Sequence, residues 1–178
     1  GHLPDLLGAA DGEARIVTQS SGAHEMGDID FDDLQRERSY GKWSAYGQSK
    51  LANLLFAYEL QRRLGNHGWD DVISVACHPG YADTDLQFRG PREMGSTLRT
   101  AAMGIANAVF AQSAAQGALP MLYAATAADV IGGEYVGPGG LFDMRGSPEF
   151  QQSNDASQDE ETAEQLWAVS TDLTGVEY

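Results

Sequence analysis

Two β-branched apolar runs, joined by one long amphipathic segment, constrain this chain more than anything else in it. "ARIVTQSS" (14–21) follows the turn "ADGE" and reads as a buried strand. "VISVACHPG" (72–80) reads the same way and ends in Pro-Gly. Between them the spacing predicts a helix over Ser44 to Leu64. Leu51, Leu54, Leu55, Tyr58 and Leu64 form its apolar stripe, and Gly65 breaks it. Strand, helix and strand in this order make a right-handed crossover between parallel strands. A parallel sheet needs helices on both faces, so the expected class is α/β, a parallel sheet with flanking helices.

The remainder supplies those helices. "FRGPREMGSTLRTAAMGIANAVF" (88–110) begins as a polar loop and becomes an Ala- and Met-rich helix. "SAAQGALPMLYAATAADV" (113–130) reads as a second helix, with Pro120 near its first turns or at a kink. "GGEYVGPGGLFDM" (132–144) reads as a last short strand between glycine turns, and residues 147–161 as a polar, acidic connector. The chain closes on a helix docked by Leu166, Trp167, Val169 and Leu173, with acidic residues near the positive end of its dipole. Residues 1–178 are expected to form one domain. Three strands make a small parallel sheet, and the chain opens on Gly1 rather than Met. The expectation is therefore the C-terminal part of a longer protein whose first half of the sheet precedes it.

Charge narrows the partners. The 178 residues carry 11 Lys and Arg against 26 Asp and Glu, a net charge of −15, and only two lysines, Lys42 and Lys50. Such a surface repels nucleic acid and anionic lipid. A salt-loving host, whose electrolyte screens carboxylates over a few ångströms, and an ordinary acidic cytoplasmic protein both fit. No apolar run approaches the roughly 18 residues that span a bilayer. The single cysteine, Cys77, reads as a buried structural thiol in a reducing, cytoplasmic compartment.

One of the two lysines is placed for chemistry. Tyr46 and Lys50 stand four apart, so they share a helix face. An ammonium one turn from a phenol favours the phenolate, and such a tyrosine can give or take a proton at a carbonyl or alcohol oxygen. Ser21 lies just past a strand, where active-site residues of parallel sheets gather, and could bond the same oxygen. A Tyr-x-x-x-Lys spacing also occurs as a plain surface pair, and Ser21 could equally be a turn cap. What separates the readings is the order: a strand ending in Ser-Ser, the pair on the next helix, then a strand ending in Pro-Gly.

In that order, "IVTQSS…YGQSKLAN…HPGYADT" resembles the catalytic half of a short-chain dehydrogenase/reductase over roughly residues 14–175. "SSGAH…GDIDFDDLQ…AYGQSKLANLLFAYEL" is similar, more narrowly, to the retinol dehydrogenase and protochlorophyllide reductase branch. The resemblance implies a Rossmann-like sheet and hydride transfer between NAD or NADP, NADP being favoured, and a small-molecule carbonyl or alcohol. It implies Ser21 as the serine that orients the carbonyl and Tyr46 as general acid and base. It implies Lys50 as the lysine that tunes the tyrosine and holds the nicotinamide ribose. Pro79, Gly80 and Tyr81 would form the loop beside the nicotinamide amide, and Thr84 a hydroxyl on that amide or the pyrophosphate. The helix carrying Tyr46 often forms a subunit interface in this family, which leaves a homo-oligomer open. The family's glycine-rich turn lies upstream of Ser21 and has no counterpart here, so the chain by itself is expected to bind cofactor poorly.

Other readings remain. Ser21 and Tyr46 lie 25 residues apart, a longer gap than in the most compact members. The extra residues from Glu25 to Lys42 read as part of a substrate mouth or as a solvated acidic loop. A hydrolase built on Ser21 with His24 or His78 lacks the Gly-x-Ser-x-Gly elbow. His78, restrained by Pro79, reads as a satisfied strand-end histidine. His2, His24, His67 and Cys77 show no metal spacing, so no metal is expected. Residues 88–110 could be a substrate lid presenting Met103 and Phe110, or core. A truncated or degenerate relative acting as a non-catalytic binding or regulatory chain is the rival from another class.

Overall fold

The computed structural model describes residue 7, residues 12–81 and residues 112–176. Strand β1 (Ala14–Gln19) leads through two 3-10 turns to helix α1 (Lys42–Asn66) and then to β2 (Val72–Cys77). Helices α2 (Ala114–Gly117) and α3 (Leu119–Thr126) follow, then β3 (Tyr135–Pro138), β4 (Pro148–Gln151) and α4 (Glu160–Thr174). The strands form one sheet in the order β1-β2-β3-β4. β1 pairs with β2 in parallel from Ala14↔Val72 to Gln19↔Cys77, and β2 pairs with β3 in parallel at Ala76↔Tyr135 and Cys77↔Val136. β3 and β4 run antiparallel, Tyr135↔Gln151 to Pro138↔Pro148.

Every residue of β2 is buried, as a strand covered on both faces must be. Ile73, Val75 and Cys77 pack with Ala124, Val130 and Val136 on the α3 side. Ala76 packs with Leu54, Ala57, Tyr58 and Tyr135 on the α1 side. Val72 meets Leu60 and Leu64 of α1 there as well. Ser74 lies among these apolar groups only because its hydroxyl donates to the Ala57 carbonyl at 2.8 Å. On its far side α1 meets α4 through Leu51, Leu55, Ala163 and Leu166, joined by Ile29, Phe31 and Leu34 of the segment before α1. Among the described residues no helix is long and apolar enough to cross a membrane.

Four expectations need correction. The long helix does not stop at Gly65: it runs to Asn66, since one glycine costs about 1 kcal/mol and Leu64 is anchored in the core. Residues 113–130 form two helices, because Pro120 lacks the N–H that a continuous helix needs and begins a new one instead. The 147–161 stretch is no mere connector: Pro148–Gln151 adds an antiparallel strand, edge-placed as proline requires. Leu173 stays exposed on α4, while Leu166 is buried and Trp167 stacks on Phe56 at 5.6 Å. The segment Glu25–Lys42, read as substrate mouth or solvated loop, is for the most part exposed and is held by its own hydrogen bonds. Asp33 accepts from the backbone N–H groups of Glu37, Arg38 and Ser39, and Gln48 of α1 donates to the Leu34 carbonyl. Desolvation pushes the Asp33 carboxyl up, but its amide donors outweigh it and hold the carboxyl below the usual range. The expected helix over 88–110, with Met103 and Phe110, lies outside the described residues.

Candidate active site

The two parallel strands β1 and β2 end side by side, and their C-terminal ends deliver Ser20-Ser21 and His78-Pro79-Gly80. The two serines divide their work. Ser20 is buried, extends the pairing by donating its N–H to Cys77 O at 2.7 Å, and donates its hydroxyl to the Lys50 carbonyl at 2.8 Å. Ser21 is half-buried and caps the turn Gly22–Met26, its Oγ accepting from the Ala23 N–H at 3.3 Å. That bond uses a lone pair, so the Ser21 hydroxyl proton stays free to donate. Asn53 adds a second tie between α1 and the strand end, donating to the Gln19 carbonyl at 2.9 Å.

The turn after Ser21 lies directly on α1, one residue past Tyr46, because two glycines face each other there. A Cβ on Gly27 would stand 2.5 Å from the Gly47 carbonyl oxygen, and one on Gly47 would stand 3.1 Å from the Ala23 carbonyl oxygen. Tyr46 and Lys50 converge: the ammonium lies 5.5 Å from the centroid of the tyrosine ring. Trp43 meets the same ring edge-on at 6.3 Å. No ion pair joins Lys50 to a described carboxylate.

Gly80 has φ +65°, and a side chain there would run into the Met144 carbonyl and the Pro138 ring, so glycine is needed for this path. Gln112, buried, braces the loop: its Nε2 donates to Pro79 O at 2.8 Å and its N–H to Tyr81 O at 2.9 Å. Tyr81 N–H is taken by Met144 O at 2.7 Å. The loop carbonyls therefore offer a ligand only their second lone pairs. Thr84 lies outside the described residues.

Cys77 is buried, and desolvation pushes its thiol up to about 11, which leaves it inert. No group of described His, Cys, Asp and Glu residues could hold a metal ion. A groove of about 370 Å³ between α1 and α4 is lined by Phe56, Leu166 and Trp167, and none of Ser21, Tyr46 and Lys50 reaches it. What sequence reading missed are Ser20 as the link to α1, the Gly27–Gly47 contact, and Gln112. The only signal for any of them was a glycine immediately after Tyr46, in a helix interior where alanine is preferred.

The chain is similar to known proteins over nearly its whole length. The chain is 38% identical to mouse polyprenol dehydrogenase over 177 residues, 97% of this chain and 48% of that protein. It is 39% identical to human retinol dehydrogenase 13 over 171 residues, 94% of this chain and 48% of that protein. The chain belongs to the short-chain dehydrogenase/reductase family. A crystal structure of an uncharacterised protein from Mycobacterium paratuberculosis shares the fold, with TM-score 0.70 and 37% identity. That match covers 93% of this chain and 52% of the other. No family model matches the chain. The chain spans about half the length of the curated relatives it matches. The parallel-dominated sheet with flanking helices is thus Rossmann-like, as expected. Short-chain dehydrogenases generally use NAD or NADP. The described residues offer groups suited to the nicotinamide end of such a cofactor: a half-buried ammonium on α1 without a described carboxylate, and a glycine loop at the strand ends.

Proposed function

We propose that this chain carries the catalytic half of an NAD(P)-dependent dehydrogenase acting between an apolar alcohol and its carbonyl, with Ser21, Tyr46 and Lys50 as the working set. The observation that carries this reading is the convergence of Lys50 and Tyr46 on one face of α1, together with the Ser20 bond that fastens the Ser21 turn to that helix. The bound nicotinamide supplies or accepts the hydride. The Tyr46 hydroxyl gives a proton to the substrate oxygen during reduction and takes it during oxidation. The Lys50 ammonium, 5.5 Å from the centroid of the Tyr46 ring, would meet the nicotinamide ribose. Ser21 donates its free hydroxyl proton to the same substrate oxygen and fixes its direction. Pro79, Gly80 and Tyr81, with Thr84, would border the nicotinamide.

The names of the relatives, polyprenol and retinol dehydrogenases, support an elongated apolar alcohol or aldehyde as substrate. NADP is preferred over NAD in this reading, and the residues act as one domain in a cytoplasmic setting. A second reading, a non-catalytic binding relative, is favoured only by the half-length match. Titration with NADPH of the full-length protein that contains this half separates the two: the first gives saturable quenching of tryptophan emission, the second gives none. For the catalytic reading, Tyr46→Phe is expected to lower oxidation of farnesol with NADP by at least about 100-fold, with NADPH affinity unchanged. Retention of most of the wild-type kcat by that variant would remove Tyr46 from the chemistry.

A further inference from the structure

Beneath the two strand ends lies a column of three polar rings that the mechanism above does not use. His24, in the turn after Ser21, is 3% exposed. Its ring meets Tyr135 of β3 edge-on at 5.7 Å and 85°. Tyr135 in turn stacks on His78 at 5.2 Å and 27°. The two histidines terminate on the two loops that form the candidate site.

The hydrogen positions follow from the partners. The Ser21 carbonyl receives the backbone N–H of His24 at 3.0 Å and its Nδ1 at 2.8 Å. A carbonyl only accepts, so Nδ1 carries the hydrogen. At the other end, His78 Nδ1 accepts the Gly80 N–H at 3.3 Å. Nε2 of His78 must then carry the hydrogen and donates it to Gln151 Oε1 at 2.7 Å. Gln151 is itself anchored, donating to the Pro138 carbonyl at 3.0 Å. A side chain at Gly137 would collide with the His78 ring and the Gln151 amide, so the chain keeps glycine there.

Polar rings are a costly way to fill such a space. The Tyr135 hydroxyl and His24 Nε2 are buried without a hydrogen-bond partner among the described residues. His24 Nε2 lies 3.1 Å from Glu25 Oε1, but without hydrogen-bond geometry. Apolar rings would pack here without orphaned groups. What an apolar ring could not do is grip Ser21 O at one end and Gly80 N–H at the other.

We propose that His24 and His78, stacked through Tyr135, are positioning residues that hold the Ser21 turn and the Pro79–Gly80 loop in register across the strand ends. His24 would serve substrate orientation, and His78 would serve cofactor placement. The proposal rests on the dehydrogenase reading. A misplacement of about 1 Å between substrate and cofactor costs on the order of 100-fold in rate, so a rigid link between these loops has a use. Burial, first of all, favours the neutral His78 ring that this geometry needs, as does the nearby His24; Gln151 and Asp143 act the other way. Among the described residues, His24 from the turn, Tyr135 from β3 and Asp143 from the β3–β4 connection are titratable groups that act on it.

The test uses four single variants of the full-length protein that contains this half, with farnesol and NADP as substrates and NADPH as binding probe. His24→Phe keeps a ring but loses the grip on Ser21, and is expected to lower kcat about tenfold with NADPH affinity unchanged. His78→Phe is expected to weaken NADPH binding about tenfold, with a smaller effect on kcat. His24→Asn and His78→Asn place an amide near each Nδ1 and are expected to recover most of each loss. Ring-nitrogen NMR of the wild type is expected to show the hydrogen on Nδ1 of His24 and on Nε2 of His78. If the Phe and Asn variants behave alike, or fail only in proportion to lost folded protein, the inference falls while an active wild type keeps the functional reading. A wild type that neither binds NADPH nor oxidises farnesol overturns both. The opposite tautomers in the NMR spectrum overturn the inference alone.

Discussion

His78 shows how one side chain couples stability to pH. Burial holds its imidazole below the ordinary histidine range, with His24 adding to the effect and the Gln151 bond opposing it. The unfolded chain therefore takes up a proton on this ring more readily than the folded one. Its contribution to stability is full above about pH 6.5 and is lost as pH falls through the lower folded value. Urea midpoints between about pH 7.5 and 5 are expected to fall with acid, and less steeply in His78→Asn, whose amide does not titrate in this range. Equal slopes for the two proteins would show that the ring is not held neutral. The sequence placed His78 at a strand end before a proline. It held no sign of Gln151, 73 residues away, as the group that fixes the tautomer.

At the scale of elements, α1 is the piece on which everything else is mounted. Its stripe of Leu51, Leu54, Leu55, Tyr58 and Leu64 is buried as the spacing requires. Its other task, receiving the Ser21 turn, depends on Gly27 against Gly47. Gly27→Ala puts a methyl into the Gly47 carbonyl, backbone against backbone, and is expected to destabilise by about 1–3 kcal/mol in urea unfolding. Gly47→Ala is expected to cost less, since the contacts are looser and alanine is better in a helix by about 1 kcal/mol. A Gly27→Ala protein as stable as wild type would mean that the turn does not rest on the helix. Helix α4 is defined locally: Asp159 accepts from the N–H groups of Glu161 and Thr162, and Gly175 closes the far end at φ +66°.

Across the whole molecule the dominant long-range term is charge. A net charge of −15 on 178 residues makes compaction self-repulsive. Raising KCl from about 0.1 to 1 M shortens the screening length from roughly 10 to 3 Å. A relief of about 1 kcal/mol would raise Tm by roughly 2–4 °C for a chain this size. A Tm that is flat or falling with salt would show that the carboxylates are already offset by local partners such as those of Asp33 and Asp159. By itself the sequence determined the parallel β1-α1-β2 unit, the buried face of α1 and the shared face of Tyr46 and Lys50. Each follows from a period of 2 or 3.6 residues, which is a local property. Only the tertiary structure decided that Pro148–Gln151 is a strand, that Ser20 rather than Ser21 grips α1, and that His24 and His78 meet across Tyr135. These depend on partners from 10 to 111 residues away, and a polar side chain carries no periodicity that names its partner.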